Sequence, residues 1–253
     1  MRFIGLDLAW SSTNPSGVAV LEGDRNAAQL VHWGLLGDDR EVLAFLDGHS
    51  AGPTIIAVDA PLTVPNRTGK RPGEAQLSPV FGRHQANAHP ANRERMTRYN
   101  GGEIRGEVIK AALEARGFVD DPFHLSAPDV RAVVEVYPHA AMVALFQLPR
   151  TLKYKQKGQG RVALDAAWRE YHRHLATLGH AEPGLTGLEP LLAVDPSVLR
   201  GSALKNHEDE VDAVMCAYVA LYAHRFPERC EVFGRVAEGY ILTPTFRERW
   251  QTA

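Results

Sequence analysis

Cysteine is scarce in this chain: Cys216 and Cys230 are the only two. Cys216 sits inside an apolar stretch and nothing in the sequence supports a disulfide, so the expected compartment is the cytoplasm. No stretch approaches the roughly 20 consecutive apolar residues that span a bilayer, and no membrane partner is expected. Nothing resembling a leader peptide precedes the first strand-like run, which begins almost at Met1. Charge of one sign is lacking too: the formal net charge of -2 at pH 7 excludes a uniformly basic nucleic-acid coat. Three motifs are absent: a Gly-x-x-x-x-Gly-Lys-Ser/Thr loop, a Gly-x-Ser-x-Gly elbow and a Cys-x-x-Cys pair. Their absence argues against P-loop, serine-hydrolase and dithiol chemistry. No histidine pair has zinc spacing, and there is no internal repeat or low-complexity linker. The 253 residues allow one large domain or two small ones, and the order of elements reads as one domain over 1–253.

What is present is a set of short apolar runs, each carrying a lone acid. Phe3-Ile4-Gly5-Leu6-Asp7-Leu8 is one, Thr54-Ile55-Ile56-Ala57-Val58-Asp59 the second, and Ala132-Val133-Val134-Glu135-Val136 the third. Proline follows the second and third, at Pro61 and Pro138, and stops the strand. A lone carboxylate in a buried strand is rare. A fourth acidic feature is Glu208-Asp209-Glu210-Val211-Asp212, opening an apolar helix that runs to Tyr222. Asp209 and Asp212, three apart, share a helix face. Burying such a pair is costly unless a cation lies between the carboxylates. These four features point to one shared acidic centre.

The periodicity predicts strands at about 2–8, 17–22 and 28–35, and a helix at 39–48 capped by Asp38 or Asp39. A strand at 54–59 leads into a long insertion over about 62–130, with helices near 73–86 and 103–116, the latter ended by Gly117. A strand at 132–137 and a short helix at 139–147 precede a second insertion over about 148–205. That insertion contains a helix at 162–178, with Val162, Ala166, Arg169 and Arg173 along one side. The acidic helix is expected at 207–225 and a last strand at Tyr240-Ile241-Leu242. The insertions are locally basic. Arg67, Lys70, Arg71, Arg83, Arg93, Arg95, Arg98 and Arg105 crowd the first; Arg150, Lys153, Lys155, Lys157 and Arg161 crowd the second. A polyanionic substrate would explain that pattern, and so would a solvated surface.

Three strands, a helix, a strand and then α/β units is the order of a ribonuclease H-like fold. Asp7, Asp59 and Asp209-x-x-Asp212-Ala213 resemble the acids of RuvC-type resolvases in that superfamily. The whole chain more closely resembles the DUF429 family of predicted ribonuclease H-like nucleases. The residues that carry this are Gly5-Leu6-Asp7-Leu8-Ala9, Val58-Asp59-Ala60-Pro61-Leu62, Glu135-Val136-Tyr137-Pro138 and Asp209-Glu210-Val211-Asp212-Ala213-x-x-x-Ala217. The resemblance implies an α/β fold with a mixed sheet flanked by helices and interrupted by two insertions. It implies a divalent-metal-dependent nuclease that leaves a 5′-phosphate on a nucleic-acid substrate.

Mg²⁺ or Mn²⁺, hard cations that prefer carboxylate oxygens, would be the cofactor. Two ions about 3.5–4 Å apart would act together. Asp7 would bridge them, Asp59 and Asp212 would hold one each, and Asp209 would be a fourth ligand or orient the others. Glu135 would complete the site or hold a water. Arg83, His84, Lys153 and Lys155 are the expected substrate contacts, with Tyr154 stacking on a base. His89 and His139 accompany the acids, and His207 would be a proton shuttle.

Each residue also has a plainer reading. Asp7 would cap the Ser11–Gly17 turn, Asp59 would be a turn residue, and Glu208 and Asp209 would be favourable charges at a helix N-terminus. Ser11-Ser12-Thr13 after Asp7 leaves open an ATP- or phosphoester-binding enzyme of the actin and sugar-kinase type, which usually duplicates the core. A non-catalytic nucleic-acid-binding module is the third reading. A dimer would suit a junction-cutting enzyme, although no residue predicts one.

Overall fold

A computed structural model describes residues 1–155, 158 and 160–251. The N-terminal apolar runs form a meander of β1 (Arg2–Asp7), β2 (Ser16–Gly23) and β3 (Ala27–Leu36). Helix α1 (Asp39–His49) follows, and its N-cap Asp38 accepts from Glu41 N–H at 2.9 Å. Strand β4 (Thr54–Val58) returns parallel to β1. The first insertion holds α2 (Pro72–Phe81), a short α3 (Arg93–Met96) and α4 (Arg105–Glu114). Strand β5 (Arg131–Glu135) lies parallel to β4 and leads into α5 (Pro138–Leu145). The second insertion holds α6 (Arg161–Thr177), a short strand β6 (Gly184–Thr186) and α7 (Glu189–Leu192). Helix α8 (Gly201–Arg225) follows. A separate hairpin of β7 (Cys230–Arg235) and β8 (Gly239–Pro244) ends the regular structure.

The main sheet has the order β5-β4-β1-β2-β3-β6, and β2 alone runs against its neighbours. This is an α/β, ribonuclease H-like fold: a mixed six-stranded sheet flanked by helices. Strand alternation sorts its side chains into two layers. Ile4, Leu6, Val18, Val20, Ile56, Val58 and Val133 pack with Val42 and Leu46 of α1 and Ile109 and Leu113 of α4. Phe3, Ala19, Leu21, Ile55, Ala57, Ala132 and Val134 face the other way, beneath α8.

Helix α8 begins at Gly201, not near His207 as the sequence predicts. Ala203, Leu204 and Lys205 are good helix formers, and buried Leu204 extends the inward stripe to Val211. The first turn therefore contains no acid, and the carboxylates lie deeper than helix-dipole stabilisation reaches. From His207 to His224 the helix is buried on nearly all sides. It presses on the sheet where glycine leaves room: a Cβ on Gly5 would lie 1.9 Å from Ala213 O, and one on Gly17 2.0 Å from Asp209 O.

Other boundaries differ in smaller ways. Helix α2 stops at Phe81 because Gly82-Arg83-His84 tightens into a 3₁₀ turn and Gln85 takes φ 58°. On α6 the side of Val162, Ala166, Arg169 and Arg173 faces solvent, and Leu164, Trp168, Tyr171 and Leu175 face the core. Strands β6 and β7 were not predicted; β6 is three residues long and β7 pairs only with β8. Both cysteines are buried and free. Among the described residues, no helix is long and apolar enough to cross a membrane.

Candidate functional site

The pleat of the sheet decides which acids meet. Asp7 ends β1 in phase with Phe3 and Gly5. Asp59 follows β4 in phase with Ile55 and Ala57, and its N–H donates to Leu6 O at 2.8 Å. Both carboxylates therefore project toward α8, at the carboxyl ends of parallel strands where α/β sheets bind ligands. Asp212, fully buried, meets them from α8, with Asp209 one turn earlier. The Asp209 carboxylate acts on that of Asp7.

A lysine from the second insertion enters this centre. Lys155 Nζ lies 2.5 Å from Asp212 Oδ2, and Tyr154 OH donates to Asp212 Oδ1. Burial alone would raise Asp212, but Lys155, His139 and Tyr154 hold its carboxyl below the usual range. Burial pushes Asp7 well up, opposed by Lys155 and reinforced by Asp212, Asp59 and Asp209. Burial pushes Asp59 up to about 7, with Lys155 opposing and Asp212 and Glu135 adding to the rise. Burial would lower Lys155, but Asp212, Asp7 and Asp59 hold it well above an ordinary lysine. Lys205, one turn before Asp209 on α8, pairs with that carboxylate.

Glu135 pairs in register with Val58, so it points to the opposite face of the sheet. There Arg71, 1 % exposed, clamps it: Nη2 reaches Oε1 at 2.5 Å and Nη1 reaches Oε2 at 2.9 Å. Arg71 Nε also donates to Glu74 at 2.7 Å, and Leu62 N–H donates to Glu135 Oε2 at 2.9 Å. Both Glu135 oxygens are engaged, and its charge adds to the rise of Asp59.

The remaining expected contacts divide. Lys153 and Lys155 border one cavity with His89 and His139. Tyr154 between them points inward, fully buried against Trp168 and Tyr171, so it cannot stack on a base. Arg83 and His84 line a different cavity, beside Phe246 and Arg247, and are not brought to the acids. His207 packs on Trp168, its Nε2 faces His172 Nε2 at 3.4 Å, and it does not line the cavity of Asp7 and Asp59. The basic first insertion is largely self-neutralised. Arg71 holds Glu135 and Glu74, Arg93 holds Glu107, Arg67 faces Glu94, and Arg105 is buried against Asp39. Lys157 lies outside the described residues.

Sequence reasoning missed Lys205, Trp10, Tyr99 and Tyr137. Lys205 had a legible signal, four residues before Asp209 on a helix. Trp10 and Tyr137 border the site because they directly follow β1 and β5, whereas Tyr99 reaches it only because the first insertion folds over the β1–β2 loop.

Asp7, Asp59, Glu135, Tyr137, His139 and Lys155 line a cavity of about 290 Å³. The donors fit a hard divalent cation in kind: carboxylate oxygens, two of them partly open to the cavity and repelling one another. Among the described residues, no three His, Cys, Asp or Glu side chains already stand in ligating geometry. The Lys155 ammonium takes part of that cation role at Asp212.

No curated protein matches this chain. A family model described as "Protein of unknown function (DUF429)" matches residues 5–238, and the chain belongs to that family.

Proposed function

We propose that this protein is a divalent-metal-dependent nuclease that hydrolyses nucleic-acid phosphodiesters at the Asp7–Asp59–Asp212 centre. The observation that carries the reading is the convergence of Asp7 and Asp59, from two parallel strand ends, at one cavity, with Asp212 of α8 buried behind it and acting on both. Asp7, Asp59 and Asp212 would hold Mg²⁺ or Mn²⁺, with Asp209 beside them. The metal, when bound, supplies an activated water and stabilises the leaving 3′-oxygen. Water adds across the P–O3′ bond, giving a 5′-phosphate and a free 3′-hydroxyl.

The chain's own groups prepare the centre. Lys155 keeps Asp212 ionised, and Lys205 neutralises Asp209. Arg71 holds both Glu135 oxygens, so Glu135 borders the cavity as half of an ion pair and not as an open ligand. The kinase-like reading has less support: Ser11 Oγ and Thr13 Oγ1 bond each other at 2.9 Å, and Ser12 Oγ is tied to Asn100 at 2.7 Å. A cytoplasmic location is part of this proposal, in keeping with two buried, free cysteines.

The test is calorimetric titration of Mn²⁺ into the wild type and Asp7→Asn, with both proteins then incubated with labelled DNA, RNA, hybrid and four-way-junction substrates. Metal binding and cleavage that are present in the wild type and lost in the variant are expected. A wild type that takes up no Mn²⁺ at millimolar concentration overturns the reading.

A further inference from the structure

Three cavities meet over the acid centre. The cavity of about 290 Å³ above Asp7 and Asp59 shares Asp7, Ala9 and Trp10 with a second of about 500 Å³, bordered by Tyr99 and Lys205. On its other side it shares His89, Tyr137, His139 and Lys155 with a third of about 520 Å³, bordered by Lys153. The three adjoin through these shared residues, with Asp7 and Asp59 in the central one, and we read them as one channel. A channel running past the reacting centre on both sides suits a chain.

The Tyr99 end carries an aromatic platform. The Trp10 and Tyr99 rings stand 5.2 Å apart at 64°, and Tyr99 is 43 % exposed. The Arg95 guanidinium lies 4.9 Å from the Trp10 centroid. Trp10 is held rigidly. Its inner side packs on the cluster of Val64, Ala91, Met96 and Ile104, and Arg105 ties the backbone on either side of it through Ala9 O at 2.9 Å and Ser11 O at 3.1 Å. Ser12 is fastened to Asn100, which joins the loop of Trp10 to the loop of Tyr99. Lys205, 59 % exposed along its side chain and paired with Asp209, stands at one end, and Lys153 at the other.

We infer that the channel binds single-stranded nucleic acid, with one base stacked on the Trp10–Tyr99 platform and the backbone crossing the acid centre toward Lys153. Every base has a π-face, so stacking grips a strand without reading its sequence. A duplex keeps its bases stacked on each other and offers none to Trp10. This inference rests on the phosphodiester-cleaving reading above, since it names the substrate of that centre.

The test uses the full-length protein and fluorescein-labelled 12-nucleotide oligo(dT) and oligo(U), against a duplex of equal length. Anisotropy is read in EDTA and again in Ca²⁺, and cleavage separately in Mn²⁺. Single strands are expected to bind at least tenfold more tightly than the duplex. Trp10→Ala should weaken single-strand binding about 5- to 150-fold, the range for losing one stacked base. Trp10→Phe should retain binding but lose the quenching of tryptophan fluorescence that oligo(dT) produces in the wild type. That readout separates stacking from a folding defect. Equal affinity for duplex and single strand, or Trp10→Ala binding as the wild type does, overturns the inference. Single-strand binding without Mn²⁺-dependent cleavage upholds the binding assignment and removes the catalytic reading. Hydrolysis of bis(p-nitrophenyl) phosphate with no oligonucleotide binding does the reverse.

Discussion

Lys155 places its ammonium 2.5 Å from Asp212 Oδ2, and its charge also reaches Asp7 and Asp59. Replacing it by Met leaves buried carboxylates without that cation. Losing one partner of a buried ion pair costs about 3–5 kcal/mol. Lys155→Met should therefore be less stable than the wild type by about that much in urea unfolding with EDTA, and Mn²⁺ should restore more stability to it than to the wild type. Unchanged unfolding in EDTA would show that Lys155 does not balance the centre.

Asp59 gives a pH dependence. Its carboxyl titrates at about 7 in the folded protein against an ordinary 3.8. Between those values the native state keeps a proton that the unfolded chain has released. The contribution is fully present below about pH 4 and is lost as pH rises through 7. Without divalent metal, the thermal midpoint of the wild type should fall across that window, and Asp59→Asn should flatten the fall. Parallel profiles for the two proteins would refute the assignment.

Between elements, the contact of α8 with β1 and β2 aligns Asp209 and Asp212 with Asp7. Glycine permits it: a Cβ on Gly5 would also lie 2.5 Å from Ala217 N. Backbone cannot yield as a side chain can, so Gly5→Ala must push the helix outward. Overpacking of this kind costs about 1–3 kcal/mol. Gly5→Ala should lose stability toward the upper end of that range and lose Mn²⁺ binding with it, read by denaturation and calorimetry on one preparation. Full Mn²⁺ binding by this variant would mean that helix position does not set the site. The small residues of this contact, Gly5, Ala213 and Ala217, are among those that carry the family resemblance, and their role in it is steric.

For the chain as a unit, Arg71 is the fastening between the first insertion and the sheet. It lies on the turn before α2 and clamps Glu135 of β5, while α2 packs on the β7–β8 hairpin through Gly73. Arg71→Met should cost about 3–5 kcal/mol, because Glu135 and Glu74 remain buried with no cation. Hydrogen exchange should quicken over α2 and the hairpin together. Exchange unchanged in the hairpin would show that the insertion docks by other contacts.

The order of strands and helices, the lone acids at strand ends and the Asp38 cap are legible because alternation, helix propensity and capping are local properties of neighbouring residues. The same alternation holds the information that Asp7 and Asp59 share a face, once the strands are known to be parallel. It does not tell which acid meets which cation. Glu135 resembles Asp59 in sequence, yet register with Val58 turns it toward Arg71 on the other face. Lys155 reads as one more basic loop residue until folding sets it against Asp212 on a distant helix. Trp10 and Tyr99 meet only because the first insertion folds back over the β1–β2 loop. Pairing across such separations depends on which faces pack and how closely. Long-range packing of this kind is written in no single segment of the chain.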